Sequence, residues 1–207
     1  AAWVAATGGF FSDGDTDTLR LTAVPGLPAT WDGTEFRVLV SNLCGPTDTS
    51  AVVSLTVNER PEIITQPVDR ITCEGVATSF TIDPGVTTAV GYLWETWNSG
   101  FWIPVTGAQY NGQGTRTLQV LNPISSMNGN AYRVLLLGDC MPSLSSDSVS
   151  LTVLENPEII TQPVDAVICE GTDTSFTVDA GVTTNPVYRW QYDDGTSGWQ
   201  DVTADGI

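Results

Sequence analysis

The sequence predicts an all-β chain built of tandem antiparallel β-sandwiches, and three observations carry that prediction. Short segments rich in β-branched and aromatic residues alternate apolar with polar positions. Clusters of Gly, Asn, Asp, Pro and Ser separate them at a spacing of about 8–12 residues, the rhythm of a sandwich. A block of sequence also returns with a fixed period, which marks a repeated folding unit. No stretch shows a convincing amphipathic period of 3.6 residues.

Pro61-Glu-Ile-Ile-Thr-Gln-Pro-Val-Asp69 recurs unchanged as Pro157 to Asp165, an offset of 96 residues. Carried forward from Pro61 to Trp94, that offset gives 23 identities in 34 positions. They include Cys73 with Cys169, Phe80 with Phe176, Tyr92 with Tyr188 and Trp94 with Trp190. The start of the chain matches the middle as well. Trp3 aligns with Trp102, Phe11 with Tyr110, Phe36-Arg37-Val38 with Tyr132-Arg133-Val134, Cys44 with Cys140, and Ser54–Val57 with Ser150–Val153. Between these anchors the offset slips from 99 to 96, so the first copy carries three extra residues around Pro25 to Thr30. The expected organisation is residues 1–57 as the back half of one unit, 58–154 as a complete unit and 155–207 as the front half of a third. The linkers Asn58-Glu-Arg-Pro61 and Leu154-Glu-Asn-Pro157 are short and end in proline, which restricts the swing between neighbours.

Within the complete unit the predicted strands follow in order. Thr78–Ile82 alternates around Phe80, and Tyr92-Leu-Trp94 supplies an aromatic pair on one face. Thr117–Val120 reads Thr-x-x-Val with Leu118 between, and Tyr132–Leu136 follows the turn Gly129-Asn-Ala. Val149–Val153 closes the unit.

Taken together the segments up to Tyr132 resemble the A′–B, C, E and F strands of an immunoglobulin-like domain. The resemblance implies that Trp94 is the core tryptophan of strand C and that Tyr132 is the tyrosine-corner residue. Phe80 and Val134 would hold the two core positions where such domains carry the B–F cysteines. In the third unit Phe176 and Trp190 would be core residues in the same way. A more specific likeness is to the tandem immunoglobulin-like repeats of giant cell-surface adhesins from gliding and related Bacteroidetes-type bacteria. Those repeats share the Pro-x-Ile-x-x-Gln-Pro, Cys-x-Gly, Tyr-x-Trp, Tyr-Arg-Val and late-Cys motifs. It implies a surface-displayed adhesin or filament shaft.

The cysteines Cys44, Cys73, Cys140 and Cys169 are disulfide candidates outside that plan. A Cys73–Cys140 bridge within the unit is the simple choice. Strands B and F run the same way in this topology, however, so the start of one and the end of the other fall at opposite ends. The alternative is a staple between neighbouring units, and free thiols are the third. Either bridge implies an oxidising compartment.

Composition narrows the chemistry. Twenty-four acidic residues against 7 basic give a net charge of −17, and every cation is arginine, since lysine and histidine are absent. A nucleic-acid partner or an anionic membrane surface would be repelled. Ser-His-Asp, Cys-His, Schiff-base lysine and histidine–zinc sites are excluded by composition. Carboxylate-pair glycoside hydrolysis is the enzymology left, and no carboxylate pair is marked by pattern. With 41% hydrophobic residues and only 15% charged, this is no disordered acidic tail. No apolar run approaches the ~18–20 residues of a membrane span. With neither an initiator methionine nor a signal-peptide pattern, the chain reads as an interior stretch of a longer array.

Four further features are weighed against plainer readings. Asp13-Gly-Asp-Thr-Asp17 spaces three carboxylates as a calcium loop does, but its counterpart Gly112-Gln-Gly-Thr-Arg116 has none, so a solvated loop is the favoured reading. The acidic residues Glu59, Glu62, Asp69 and Glu74 near the linker, repeated as Glu155, Glu158, Asp165 and Glu170, offer calcium a second site between units. Trp3, Trp102 and Trp199 recur and read as packing residues. Trp31 and Trp97 are unrepeated, with Met127 and Asp193 in their places, and are the candidate surface contacts. Arg37 and Arg133 read as outward ion pairs on strand F.

The expected function is a structural or adhesive segment of a long extracellular repeat protein at the cell surface, with no catalytic, cofactor or metal site. Its expected partners are neighbouring repeats and surface glycans or other filaments. The alternative is a carbohydrate-binding module array on a secreted polysaccharide-degrading enzyme.

Overall fold

The computed structural model of the chain describes residues 11–22 and 27–203. Among them there is no α-helix, only the 3-10 turns Ala29–Trp31 and Ser125–Met127. The central unit holds nine strands: β1 (Arg70–Cys73), β2 (Thr78–Thr81), β3 (Gly91–Asn98), β4 (Phe101–Pro104), β5 (Tyr110–Asn111), β6 (Thr117–Val120), β7 (Ala131–Leu137), β8 (Leu144–Ser145) and β9 (Val149–Leu154). They form two facing sheets. One runs β4-β3-β7-β9-β1 with β8 on the end of β7, and the other runs β5-β6-β2.

One pair departs from the antiparallel expectation. β9 and β1 run parallel, with Leu151 to Leu154 opposite Arg70 to Cys73. The cause is a sheet switch near the start of the unit. Thr65 bridges Asp83 beside β2, and the chain then crosses to β9 through the buried Pro67. Proline has no N–H for a ladder, so pairing with the first sheet ends there. The crossing is tied down by side chains: Gln66 accepts from the Asp147 N–H at 2.9 Å, and Asp69 accepts from the Ser150 N–H at 2.7 Å.

Burial follows the strand period of two. In β7 the buried positions are Tyr132, Val134 and Leu136, and in β9 they are Val149, Leu151 and Val153. Phe80, Ile82, Leu118 and Val120 meet them from the other sheet, with Trp94 between. Phe80 lies 5.1 Å from the Tyr132 ring and 6.4 Å from that of Trp94, centroid to centroid. The buried Trp94 indole is satisfied, donating to the Thr115 carbonyl at 2.9 Å. Val134 is the cross-strand partner of Trp94. The four aromatic and aliphatic positions assigned to the core of the complete unit, Phe80, Trp94, Tyr132 and Val134, are all fully buried.

Their counterparts in the third unit are not. Phe176 is 53% exposed and Trp190 41% exposed in this front half-unit. The physical reason is local: β6, β7 and β9 pack over Phe80 and Trp94 in the central unit, and residues 155–203 contain no equivalents of those strands.

Backbone geometry repeats with the sequence. Ile64 N–H donates to the Asp83 carbonyl at 2.8 Å, and Ile160 N–H to Asp179 at 2.8 Å. Val38 N–H donates to the Ser50 hydroxyl at 3.0 Å, as Val134 N–H does to Ser146 at 3.0 Å. Trp3 and residues 23–26, which include the start of the extra loop, lie outside the described residues.

Candidate functional site

The outer face of the larger sheet carries an ordered group of side chains. Register makes Trp97 on β3 the partner of Trp102 on β4, and Glu95 on β3 the partner of Arg133 on β7. Positions 95 and 97 share one face because strand side chains alternate. The two tryptophans meet edge to face at 5.3 Å, and the Arg133 guanidinium sits 4.4 Å over the Trp102 ring. Arg133 Nε donates to the Glu95 carboxylate at 2.8 Å. Glu95 is buried, so this ion pair is more than the exposed surface pair expected of Arg133. Trp97 is 48% exposed. Chemically the face offers aromatic surface with a fixed cation beside it, suited to stacking against a flat apolar ring face.

The second candidate surface contact sits differently. Trp31 closes a 3-10 turn and stacks on Phe11 at 5.2 Å. Its counterpart Met127 is buried in the central core, and Trp31 itself is partly buried.

Tyr132 meets another tyrosine instead of the backbone of a corner. Its hydroxyl lies 2.9 Å from that of Tyr110, the rings 6.1 Å apart. Burial, with the Tyr132 hydroxyl bond adding to it, pushes the Tyr110 phenol well above the ordinary tyrosine range.

The acidic loop is a structural turn. Asp13 has φ +61°, its counterpart Gly112 φ +77°, and aspartate is among the residues that tolerate this region. Thr16 donates to the Asp13 carbonyl at 2.9 Å, as Thr115 does to Gly112 at 3.0 Å. Asp13 is further paired with Arg20 at 3.4 Å. Among the described residues no three His, Cys, Asp or Glu side chains gather as a metal site would require.

All four cysteines are free thiols in this structure. Cys73 ends β1, and Cys140 lies three residues beyond β7. Cys44 repeats the position of Cys140, and Cys169 that of Cys73.

No protein-family profile matches the sequence, and no curated protein matches it. Solved structures do. The titin I-band fragment I67–I69 is similar at a TM-score of 0.61 and 19% identity, over 95% of this chain and 66% of that one. The fold is a tandem of immunoglobulin-like sandwiches. An E-to-A variant of the same titin domains gives 0.60 at 18% identity, again over 95% and 66%. Extracellular domains 3–5 of Drosophila OTK give 0.39 at 16% identity, over 72% of this chain and 47% of theirs. The chain thus spans less than two thirds of these longer tandems.

Sequence reasoning singled out Trp97 but missed the Arg133–Trp102 stack and the Tyr110–Tyr132 pair. The recurrence of aromatic residues at positions 11 and 110 was the available signal for the latter.

Proposed function

We propose that the chain is a stretch of the shaft of a long extracellular array of immunoglobulin-like units, serving as a cell-surface stalk or adhesive filament. The observation that carries this reading is the repetition of hydrogen bonds, not only of sequence, at the linkers. Glu59 N–H donates to the Thr88 hydroxyl at 2.9 Å, and Glu155 N–H to Thr184 at 3.1 Å. Glu62 and Glu158 do the same with Thr87 and Thr183 at 3.3 and 3.1 Å. Each unit therefore enters from its linker in the same way, which gives an array a regular rise. The shared Pro-x-Ile-x-x-Gln-Pro and Tyr-Arg-Val motifs support the finer reading of a giant adhesin of the gliding Bacteroidetes type. Units of this kind supply length and stiffness, with neighbouring repeats as their first partners and no cofactor. Small-angle scattering on chains with increasing numbers of units tests the shaft: the maximum dimension should rise linearly, and a dimension that levels off would refute it.

The aromatic face of β3 and β4 favours one second reading, a carbohydrate-binding array. Glycan-array binding that disappears in Trp97→Ala would support it, and loss in Trp31→Ala without loss in Trp97→Ala would not.

A further inference from the structure

Each cysteine of the central unit marks a junction. Cys73 lies opposite Leu154, the last residue of β9, and the next N–H, that of Glu74, donates to the Leu154 carbonyl at 2.9 Å. The linker closes on the same corner, where Asn156 Nδ2 donates to the Glu74 carbonyl at 3.2 Å. This is the pole from which the chain leaves for the next unit. Cys140 marks the pole at which the chain arrives, its thiol donating to the carbonyl of Asn58 at 3.3 Å.

Within one unit the two sulfurs cannot meet. Tyr132 pairs with Val149, and from there β7 runs to Leu137 while β9 runs the opposite way to Leu154. The two strand ends are therefore separated by roughly 33 Å at about 3.3 Å per residue, far beyond the 4.4–6.8 Å or so between bridged Cα atoms.

Between units the geometry converges. Asn58 and Leu154 are the same position one period apart. Moving the Cys140–Asn58 contact forward by one period places the late cysteine of the following unit on the Leu154 carbonyl, the acceptor already bound by Glu74. The linker hydrogen bonds described above repeat from one copy to the next, which licenses that transfer. The chain of contacts then holds the late sulfur within roughly 9 Å of the Cys73 Cα at its widest, by ordinary covalent lengths.

We infer that successive units are joined by a disulfide between the early cysteine of one unit and the late cysteine of the next. Cys73 takes the late cysteine of the following unit, and Cys140 takes the early cysteine of the preceding one. The inference rests on the array reading for the continuation of the period. Bond formation removes one proton and one electron from each thiol. Both electrons reduce a disulfide oxidant, a protein disulfide or glutathione disulfide, to two thiols through a mixed disulfide. Exposure of Cys73 gives that oxidant access.

The test uses the whole 207-residue chain followed by a second copy of residues 111–154, which supplies the strands missing from the third unit. Cys44→Ser and Cys140→Ser leave three cysteines: Cys73, Cys169 and the appended late cysteine. After folding in a glutathione redox buffer, non-reducing peptide mapping should find the appended cysteine joined to Cys73 and Cys169 free. Joining to Cys169, three free thiols, or the same mixture of pairs as in urea would overturn the staple. Scattering on the same sample separates the two proposals. A maximum dimension longer than that of the 207-residue chain, with no staple, leaves the array standing, whereas no lengthening counts against the array itself.

Discussion

At the scale of the residue, the Tyr110–Tyr132 pair shows how a polar contact inside a sandwich becomes a pH dependence. A tyrosine in an unfolded chain loses its proton near pH 10. Folded Tyr110 holds its proton to higher pH, because burial and the bond to Tyr132 disfavour the phenolate. Above about pH 10 the folded state therefore binds more protons than the unfolded state. The contribution is fully present below that pH and is lost as pH rises. The melting temperature followed by tryptophan fluorescence should fall between pH 10 and 11.5, and Tyr110→Phe should flatten the fall. An unchanged slope in that variant would assign the dependence elsewhere. Position 110 is aromatic in the first two copies but carries a hydroxyl in only one, since the first has Phe11 and the third Ile207. The pair is thus an addition to the fold and not a requirement of it: the repeat announced an aromatic at this position but not the hydroxyl.

At the scale of the element, turns and register account for what the sequence disclosed and what it withheld. The turn between β5 and β6 needs a left-handed residue at Gly112, where an added Cβ would press on the Thr117 carbonyl. Gly112→Ala should destabilise the central unit by about 1–2 kcal/mol in urea melts, the usual cost of that conformation for an L-residue. A cost near zero would mean that the turn relaxes. Alternation made β7 and β9 legible, because Tyr132, Val134 and Leu136 announce one buried face. Phe80 and Trp94 were legible for the same reason. The parallel β9–β1 pair was not, since β1 is set by a crossing at Pro67 that joins residues about 81 positions apart in sequence. Trp31 is unrepeated in sequence, and the contact of its ring with Phe11 is set by the 3-10 turn at Ala29–Trp31, which no strand period announces.

At the scale of the whole molecule, the flanking units leave complementary faces open. Val38, Leu39 and Val53 are exposed in the first, and Phe176 and Trp190 in the third. By sequence the first holds the equivalents of β5–β9 and the third those of β1–β4, so each lacks what the other has. Taken alone, the 207-residue polypeptide should associate head to tail, residues 155–203 of one molecule covering residues 11–57 of another. Sedimentation velocity should show species that grow with concentration and that Phe176→Asp removes. Growth unaffected by that change would place the contact elsewhere. The charge of −17 opposes side-by-side bundling of such assemblies at low salt. The parallel ladder between β9 and β1 has a consequence for load. The chain enters the unit ahead of β1 and leaves from the end of β9, so tension on the two linkers draws these neighbouring strands past each other lengthwise. Their hydrogen bonds cross the direction of pull and must yield together, so the ladder resists as a shear lock and not as a zip that opens one rung at a time.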